Sequence, residues 1–298
     1  MESSKLTTEQ RNEASMNLDE MSVIDIVSLM NSETTNIMTA IEEVKHNIVD
    51  AVDLIILKMK EGGKLYYVGA GTSGRLGILD ASECVPTFGT DPTEIQGIIA
   101  GGKTAIIDAV EGAEDSVELA DEDFDKLKIT DSDVVVGIAA SGRTPYVIEF
   151  LKRAKEVSAA TVAISNNKKS QIGDIANVKI EVEVGPEVLT GSTRLKSGTA
   201  QKMVLNMLST ISLVKMGKVF ENLMIDVQPT NEKLVNRAIN MVDTVTNIGK
   251  EKATQLFTES GKQVKVAIVM NALHISRNEA EDKLKKNKGY VREAIQNY

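Results

Sequence analysis

The stretch KLYYVGAGTSGRLGILDASE, Lys64 to Glu83, decides how the rest of the chain is to be read. Leu65–Val68 is short and rich in Tyr and branched residues, the composition of a buried strand. It runs into Gly69-Ala70-Gly71-Thr72-Ser73-Gly74, whose glycine and hydroxyl content predicts a loop, and Arg75–Ala81 follows as a helix. A strand, a glycine loop and a helix N-terminus together make an anion site. Unpaired backbone N–H groups converge there, and the helix dipole favours negative charge. Thr72 and Ser73 add hydroxyl donors at the same spot, so the expected ligand carries a phosphate.

Gly69, Gly71 and Gly74 also spell G-x-G-x-x-G, the dinucleotide fingerprint. That reading requires a carboxylate about 20 residues further on, at the end of the next strand. Asp91 and Glu94 instead lie before or at the start of the next apolar run, Ile95–Ala100, which ends in Ala100-Gly101-Gly102-Lys103 without an acid. A simple phosphate ester is preferred to a dinucleotide.

Working outward, the strand and helix signals alternate. Ile37, Ile41, Val44, Ile48, Val52, Ile55 and Met59 form one apolar stripe, which predicts a single amphipathic helix capped by Ser32 and stopped by Gly62-Gly63. His46 falls on its polar side. Residues 1–31 are polar with scattered Met, Leu and Ile, which suits short helices or an arm wrapped on a neighbour. After the opening strand, Ile95–Ala100 reads as a strand, Thr104–Val110 as a helix and Glu118–Lys128 as an acidic segment. Asp133–Ala140, DVVVGIAA, is the clearest buried strand. It ends in Ser141-Gly142-Arg143-Thr144-Pro145, and the proline starts a helix through Tyr146–Val157. Thr161–Ile164 and Val178–Val184 are further strands, and Gly198–Met216 is a long helix. From about Asn222 the texture turns to Lys- and Asn-rich helix-forming sequence, with one apolar run, Val266–Leu273, that suits helix or strand and precedes a structural His274.

Alternating strands and helices imply an open α/β domain with a parallel sheet covered on both faces. Ligands of such sheets sit beyond the carboxyl ends of the strands, where both hydroxyl-rich loops lie. The candidate phosphate ligands are therefore Thr72, Ser73, Ser141, Gly142, Arg143 and Thr144, with the Gly142 N–H as a backbone donor.

The totals narrow the chemistry. A chain of 298 residues is long enough to bury about 75% of its extended surface. One cysteine, Cys84, excludes an intrachain disulfide, fits a reducing compartment and reads as a buried small side chain. MESSKLTTEQRNEAS at the start has no apolar core, and no apolar run approaches the ~18 residues of a membrane span. The expectations are a cytoplasmic protein without membrane partner. A net charge of −9, with acids directly before the one basic cluster Lys283–Lys288, disfavours nucleic acid. Two histidines and one cysteine give no metal cage, and no metal or cofactor is expected.

Longer motifs add a resemblance. GAGTSGRLGILDASEC (Gly69–Cys84), PTFGT (Pro86–Thr90), QGIIAGG (Gln96–Gly102), AVEGAEDS (Ala109–Ser116), AASGRTPYV (Ala139–Val147) and GPEVLTGSTRLKSGTAQKMVLNMLST (Gly185–Thr210) resemble the N-acetylmuramic acid 6-phosphate etherases, as do LTTEQRN (Leu6–Asn12) and NLMIDVQPTNEKL (Asn222–Leu234). The match runs in order over roughly residues 6–240, and departs at Val85, where a proline is expected before Pro86. It implies a sugar isomerase-type (SIS) fold of five parallel strands between helices, usually a homodimer. An N-terminal helical arm would span 1–54, the SIS sugar-phosphate domain 55–221 and a small C-terminal helical domain 222–298. The implied reaction cleaves the lactyl ether of the substrate to N-acetylglucosamine 6-phosphate and D-lactate. Glu83 matches the family's proton donor and Glu114 its second catalytic glutamate, while Arg194, Lys196 and Lys202 are candidates for the lactyl carboxylate. Two alternatives share the fold and the phosphate loops. A sugar-phosphate isomerase needs no lactate-sized pocket, and a non-catalytic sensor of the glucokinase-regulatory type needs neither glutamate.

Overall fold

The computed structural model describes residues 6–229 and 231–297. The first five residues, Thr230 and Tyr298, expected in the N-terminal arm and the C-terminal domain, lie outside the described residues. The elements in chain order are helices α1 (Val23–Glu33), α2 (Thr35–Glu43) and α3 (Lys45–Lys60), strand β1 (Leu65–Gly69), helix α4 (Gly71–Phe88), β2 (Ile95–Ile99), α5 (Thr104–Ile107), α6 (Val117–Leu127), β3 (Val134–Ile138), α7 (Pro145–Glu156), β4 (Ala160–Ser165), α8 (Gln171–Ile175), β5 (Val178–Glu181) and α9 (Lys196–Lys215). Five more helices follow: α10 (Glu232–Thr246), α11 (Lys250–Glu259), α12 (Val264–Leu273), α13 (Arg277–Lys286) and α14 (Val291–Gln296). The chain divides into two compact units. One holds the residues up to Ser82 with Pro92–Ser209; the other holds Glu83–Asp91 and the chain from Thr210 on.

In the first unit the five strands are parallel, in the order β2-β1-β3-β4-β5. The expected α/β class and its sheet of five parallel strands are borne out. The chain leaves β1 toward β2 on one side and returns to β3 on the other, so the topology switches between β1 and β3. That is where an open α/β sheet binds its ligand. β1, β3 and β4 are buried along their whole length, which is why their sequences are continuous apolar runs rather than alternating ones. Tyr66, Val68, Val135, Phe124, Tyr146, Phe150 and Leu151 form the centre of one core cluster.

Several boundaries differ from the sequence reading, each for a local reason. The segment from Gly71 to Gly74 is the first turn of α4 rather than a loop. A Cβ on Gly74 would stand 2.6 Å from Ile99 Cγ1 and 2.8 Å from the Gly69 carbonyl oxygen, so glycine here permits close packing of helix on sheet. The apolar stripe from Ile37 to Met59 is two helices, broken at Val44 (φ −103°, ψ 11°). That step keeps Ile37, Ile41, Ile48, Val52, Ile55 and Met59 all buried. Ser32 lies inside α1 and does not cap a following helix; α1 is capped by Ser22. The Thr104 helix stops at Ile107, and the short α8 falls in a stretch that the sequence reading left unassigned.

Residues 6–20 form short 3-10 turns held on their own chain. Thr7 Oγ1 donates to Glu183 at 2.9 Å, Asn167 Nδ2 donates to Thr8 Oγ1 at 3.1 Å, and Asn12 Nδ2 donates to the Pro186 carbonyl at 3.2 Å. α1 differs: none of its residues is buried, and Val23, Ile24, Val27 and Met30 are exposed.

The second unit has its own core, built from Ala238, Met241, Val242, Phe257, Val266, Ile268 and Leu284 among others. The run at Val266–Leu273 is helix, and His274 closes it in the left-handed conformation (φ 55°). A capping box between Ser276 and Glu279 starts α13.

Candidate active site

Helices α4 and α7 follow the neighbouring strands β1 and β3, so both N-termini stand at the carboxyl edge of the sheet on the two sides of the switch point. The first intrahelical bond of α4 runs from the Gly74 N–H to Ala70 O at 3.2 Å, which leaves the N–H groups of Gly71, Thr72 and Ser73 ahead of it. At α7, Thr144 is the cap residue, its side chain makes no capping bond, and Pro145 occupies the first turn. Ser141 Oγ accepts the Arg143 N–H at 3.2 Å. Gly142 has φ +70°, and a Cβ there would stand 2.4 Å from Ser170 Cβ. Its N–H, expected as a ligand donor, is donated to Ala139 O at 2.9 Å. Ser141, Arg143, Thr144 and Thr72 are partly exposed, whereas Ser73 is buried.

Ser73 points inward because a partner waits there. Its Oγ donates to Gln201 Oε1 at 2.8 Å, Gln201 Nε2 donates to Asn166 Oδ1 at 3.0 Å, and Asn166 Nδ2 donates to the Val182 carbonyl at 3.0 Å. This buried chain ties the first turn of α4 to α9 and to the residues that follow β4 and β5. Sequence reasoning missed Gln201 and Asn166. The available signal was that Ser197 and Gln201 share the apolar spacing of Val204, Leu205 and Leu208 on α9, which puts polar groups on a core face.

Glu114 is the middle residue of a 3-10 turn, Ala113–Asp115, whose Ala113 anchors in the core while the carboxylate is exposed. It lines a cleft of about 220 Å³ together with Gly71, at the N-terminus of α4, and Arg75. Glu83 is exposed and falls in the second unit. Beside it Cys84 is buried.

The three basic candidates have different fates. Lys196, 5% exposed, pairs with Glu33, which also accepts from Asn12 Nδ2 at 2.9 Å. The Lys196 and Ser197 N–H groups both donate at 2.9 Å to the fully buried Glu187 carboxylate, which caps α9 as an acidic side chain should. Arg194 is exposed. So is Lys202, whose positive charge acts on Asp80. Asp80 is buried, and burial pushes its carboxyl above the ordinary range against hydrogen bonds from Asn206, Ser209 and Tyr67. The described residues contain no group of three or more His, Cys, Asp and Glu placed to hold a metal.

Known proteins match this arrangement at two levels. Residues 47–155 match the glucokinase regulatory protein N-terminal SIS domain, and residues 110–211 match the SIS domain. Phosphoheptose isomerases from Francisella tularensis and Neisseria gonorrhoeae share the fold at a TM-score of 0.50 each. They are 18% and 19% identical, over 64% of this chain and 98% of theirs. An N-acetylmuramic acid 6-phosphate etherase 2 from Lactiplantibacillus plantarum is 55% identical over 98% of each chain. An N-acetylmuramic acid 6-phosphate etherase from an Exiguobacterium strain is 54% identical, over 98% of this chain and 99% of its own. With more than half of its residues shared along nearly its whole length, this chain belongs to the N-acetylmuramic acid 6-phosphate etherase family.

Proposed function

We propose that this enzyme cleaves the lactyl ether of N-acetylmuramic acid 6-phosphate by elimination and hydration, giving N-acetylglucosamine 6-phosphate and D-lactate. The observation that carries the site assignment is the cleft shared by Gly71, at the N-terminus of α4, and Glu114. An anion bound at that helix end brings its sugar toward a carboxylate. The 6-phosphate is held at the β1/β3 switch point by the N–H groups of the first turn of α4, by Thr72, and by Ser141, Arg143 and Thr144, while Ser73 and Gly142, whose donors go to Gln201 and Ala139, shape the two segments.

An unactivated ether has a poor leaving group, so direct displacement by water is slow. Once the sugar opens to its aldehyde, the C2 proton is acidic. Glu114 takes that proton as base, Glu83 protonates the departing lactyl oxygen at C3, and lactate leaves. Water then adds at C3 of the unsaturated aldehyde while a proton returns to C2. Each carboxyl contributes about 10²–10⁴-fold, and no step calls on a cofactor.

The enzyme works as a homodimer with shared sites. One feature supports this: the apolar face of α1, where Val23 is 80% exposed. A second copy covers that face and receives Glu83. Among the described residues no helix is long and apolar enough to cross a membrane, and the single cysteine suits the cytoplasm as the working compartment.

Incubation with N-acetylmuramic acid 6-phosphate, followed by assay of D-lactate, tests the reading. Lactate is expected from the phosphate ester and far less from the unphosphorylated sugar. Binding without lactate release would favour a sensor. Isomerised sugar phosphate without lactate would favour an isomerase.

A further inference from the structure

The cleft that holds Glu114 contains one basic side chain among its lining residues, Arg75. Its guanidinium is fixed from one side by two main-chain carbonyls, with Nε donating to Ile106 O at 2.9 Å and Nη2 to Asp108 O at 3.3 Å. A guanidinium has five N–H donors. Among the described residues no carboxylate pairs with Arg75, so three donors stay open, in a fork already oriented by the two bonds.

At about 220 Å³ the cleft is smaller than the roughly 300–1,000 Å³ of a pocket for a whole drug-sized ligand. It suits one arm of a sugar phosphate. Ala105, Val110 and Ala113 give it an apolar wall. Asp108, Glu111 and Glu114 also line it, so an anionic arm enters only where a cation offsets them. A planar guanidinium does this better than an ammonium, because it grips both oxygens of a carboxylate at once. The three basic residues that the sequence suggested for this role are absent from the lining.

We propose that Arg75 is the specificity-determining residue for the substrate's acid arm. It binds the lactyl carboxylate, sets the methyl against the apolar wall and holds the ether oxygen within the cleft of Glu114. The inference rests on the etherase reading and names the contact that separates a muramate phosphate from other sugar phosphates.

The test compares two substrates and two enzymes. N-acetylmuramic acid 6-phosphate and its neutral lactamide are each given to the wild type and to Arg75→Gln, whose amide still reaches one of the two carbonyls. The wild type prefers the acid, and Arg75→Gln lowers kcat/KM for the acid by about 10–100-fold while largely abolishing the preference. C2 hydrogen exchange into N-acetylglucosamine 6-phosphate, which has no lactyl arm, falls at least tenfold less than cleavage does. A variant that keeps the wild-type preference overturns the proposal. Equal loss of cleavage and exchange also overturns it, because Arg75 would then only hold the backbone before Glu114. A wild type that cleaves neither substrate removes the etherase reading and this inference with it.

Discussion

Replacing Gln201 with Leu keeps the bulk of the side chain but leaves two buried polar groups without partners. Ser73 Oγ loses an acceptor at 2.8 Å and Asn166 Oδ1 loses a donor at 3.0 Å. Ser73 is 7% exposed and Asn166 1%, so water does not readily replace what is lost. Each orphaned group costs about 1–3 kcal/mol, which gives about 2–6 kcal/mol for the variant. In a Ser73→Ala background the buried Gln201 amide oxygen has already lost its donor, so the same change orphans Asn166 but removes that oxygen, and the two substitutions should couple by about 2–6 kcal/mol. Urea unfolding of the wild type, both single variants and the double variant measures this cycle. Gln201→Leu should also raise KM for the phosphate ester more than it lowers kcat, because the first turn of α4 loses its tether. A loss below about 0.5 kcal/mol, or additivity within about 0.3–0.5 kcal/mol, would refute the network.

Isotope labelling reads the two glutamates. In heavy water deuterium enters C2 of the product, and in heavy-oxygen water the label enters the sugar at C3 and stays out of the lactate hydroxyl; label in lactate would mean direct displacement. Glu114→Gln should lose exchange and cleavage together, whereas Glu83→Gln should lose cleavage and keep slow exchange; the opposite pattern would reverse the roles. Mixing the inactive Glu83→Gln and Glu114→Gln chains should restore about a quarter of wild-type activity, since randomly formed hybrid dimers carry one intact site each. No recovery on mixing would place Glu83 with its own chain's site. For Asp80, burial raises the folded pKa above the unfolded one, so stability should fall as pH rises from the ordinary carboxylate value through the raised one and level off beyond it. Asp80→Asn should flatten that fall in thermal melts; an unchanged slope would show that another group causes it.

Elements set by local chemistry were legible in the sequence. Pro145 announces the start of α7, DVVVGIAA can only be an inner strand, and Gly62-Gly63 ends α3. What was not legible depended on a partner distant in sequence. The glycines of the Gly69–Gly74 segment suggested a loop, and only the approach of Ile99 to Gly74 explains why they begin a helix. The stripe over α2 and α3 has the right residues, but the break at Val44 depends on how both pieces fit their neighbours. Ser73 and Gln201 lie 128 positions apart, and nothing near either residue predicts their bond. Lys196 looked available for an anion because Glu33, 163 positions away, could not be placed beside it.

The exposure of the two glutamates bears on how the site is completed. A carboxyl that donates a proton near neutral pH needs an enclosure that disfavours its charge. Glu83 and Glu114 are both open to solvent in the single chain. In the proposed site, substrate would supply part of the missing enclosure, since a sugar ring seated over the Glu114 cleft would exclude water from it. Glu83, if it is the proton donor, would require another covering surface, since it is exposed on its own chain. The apolar face of α1 has the character of a surface that a second copy would cover, and dimerisation would bury the chemistry in the same event. On this argument an isolated chain would offer a phosphate site but leave the acid open to solvent. The proposed proton donor would then acquire its working environment only when two copies and a substrate are assembled, so diluting the enzyme below its dimerisation range should abolish cleavage while leaving the chain folded.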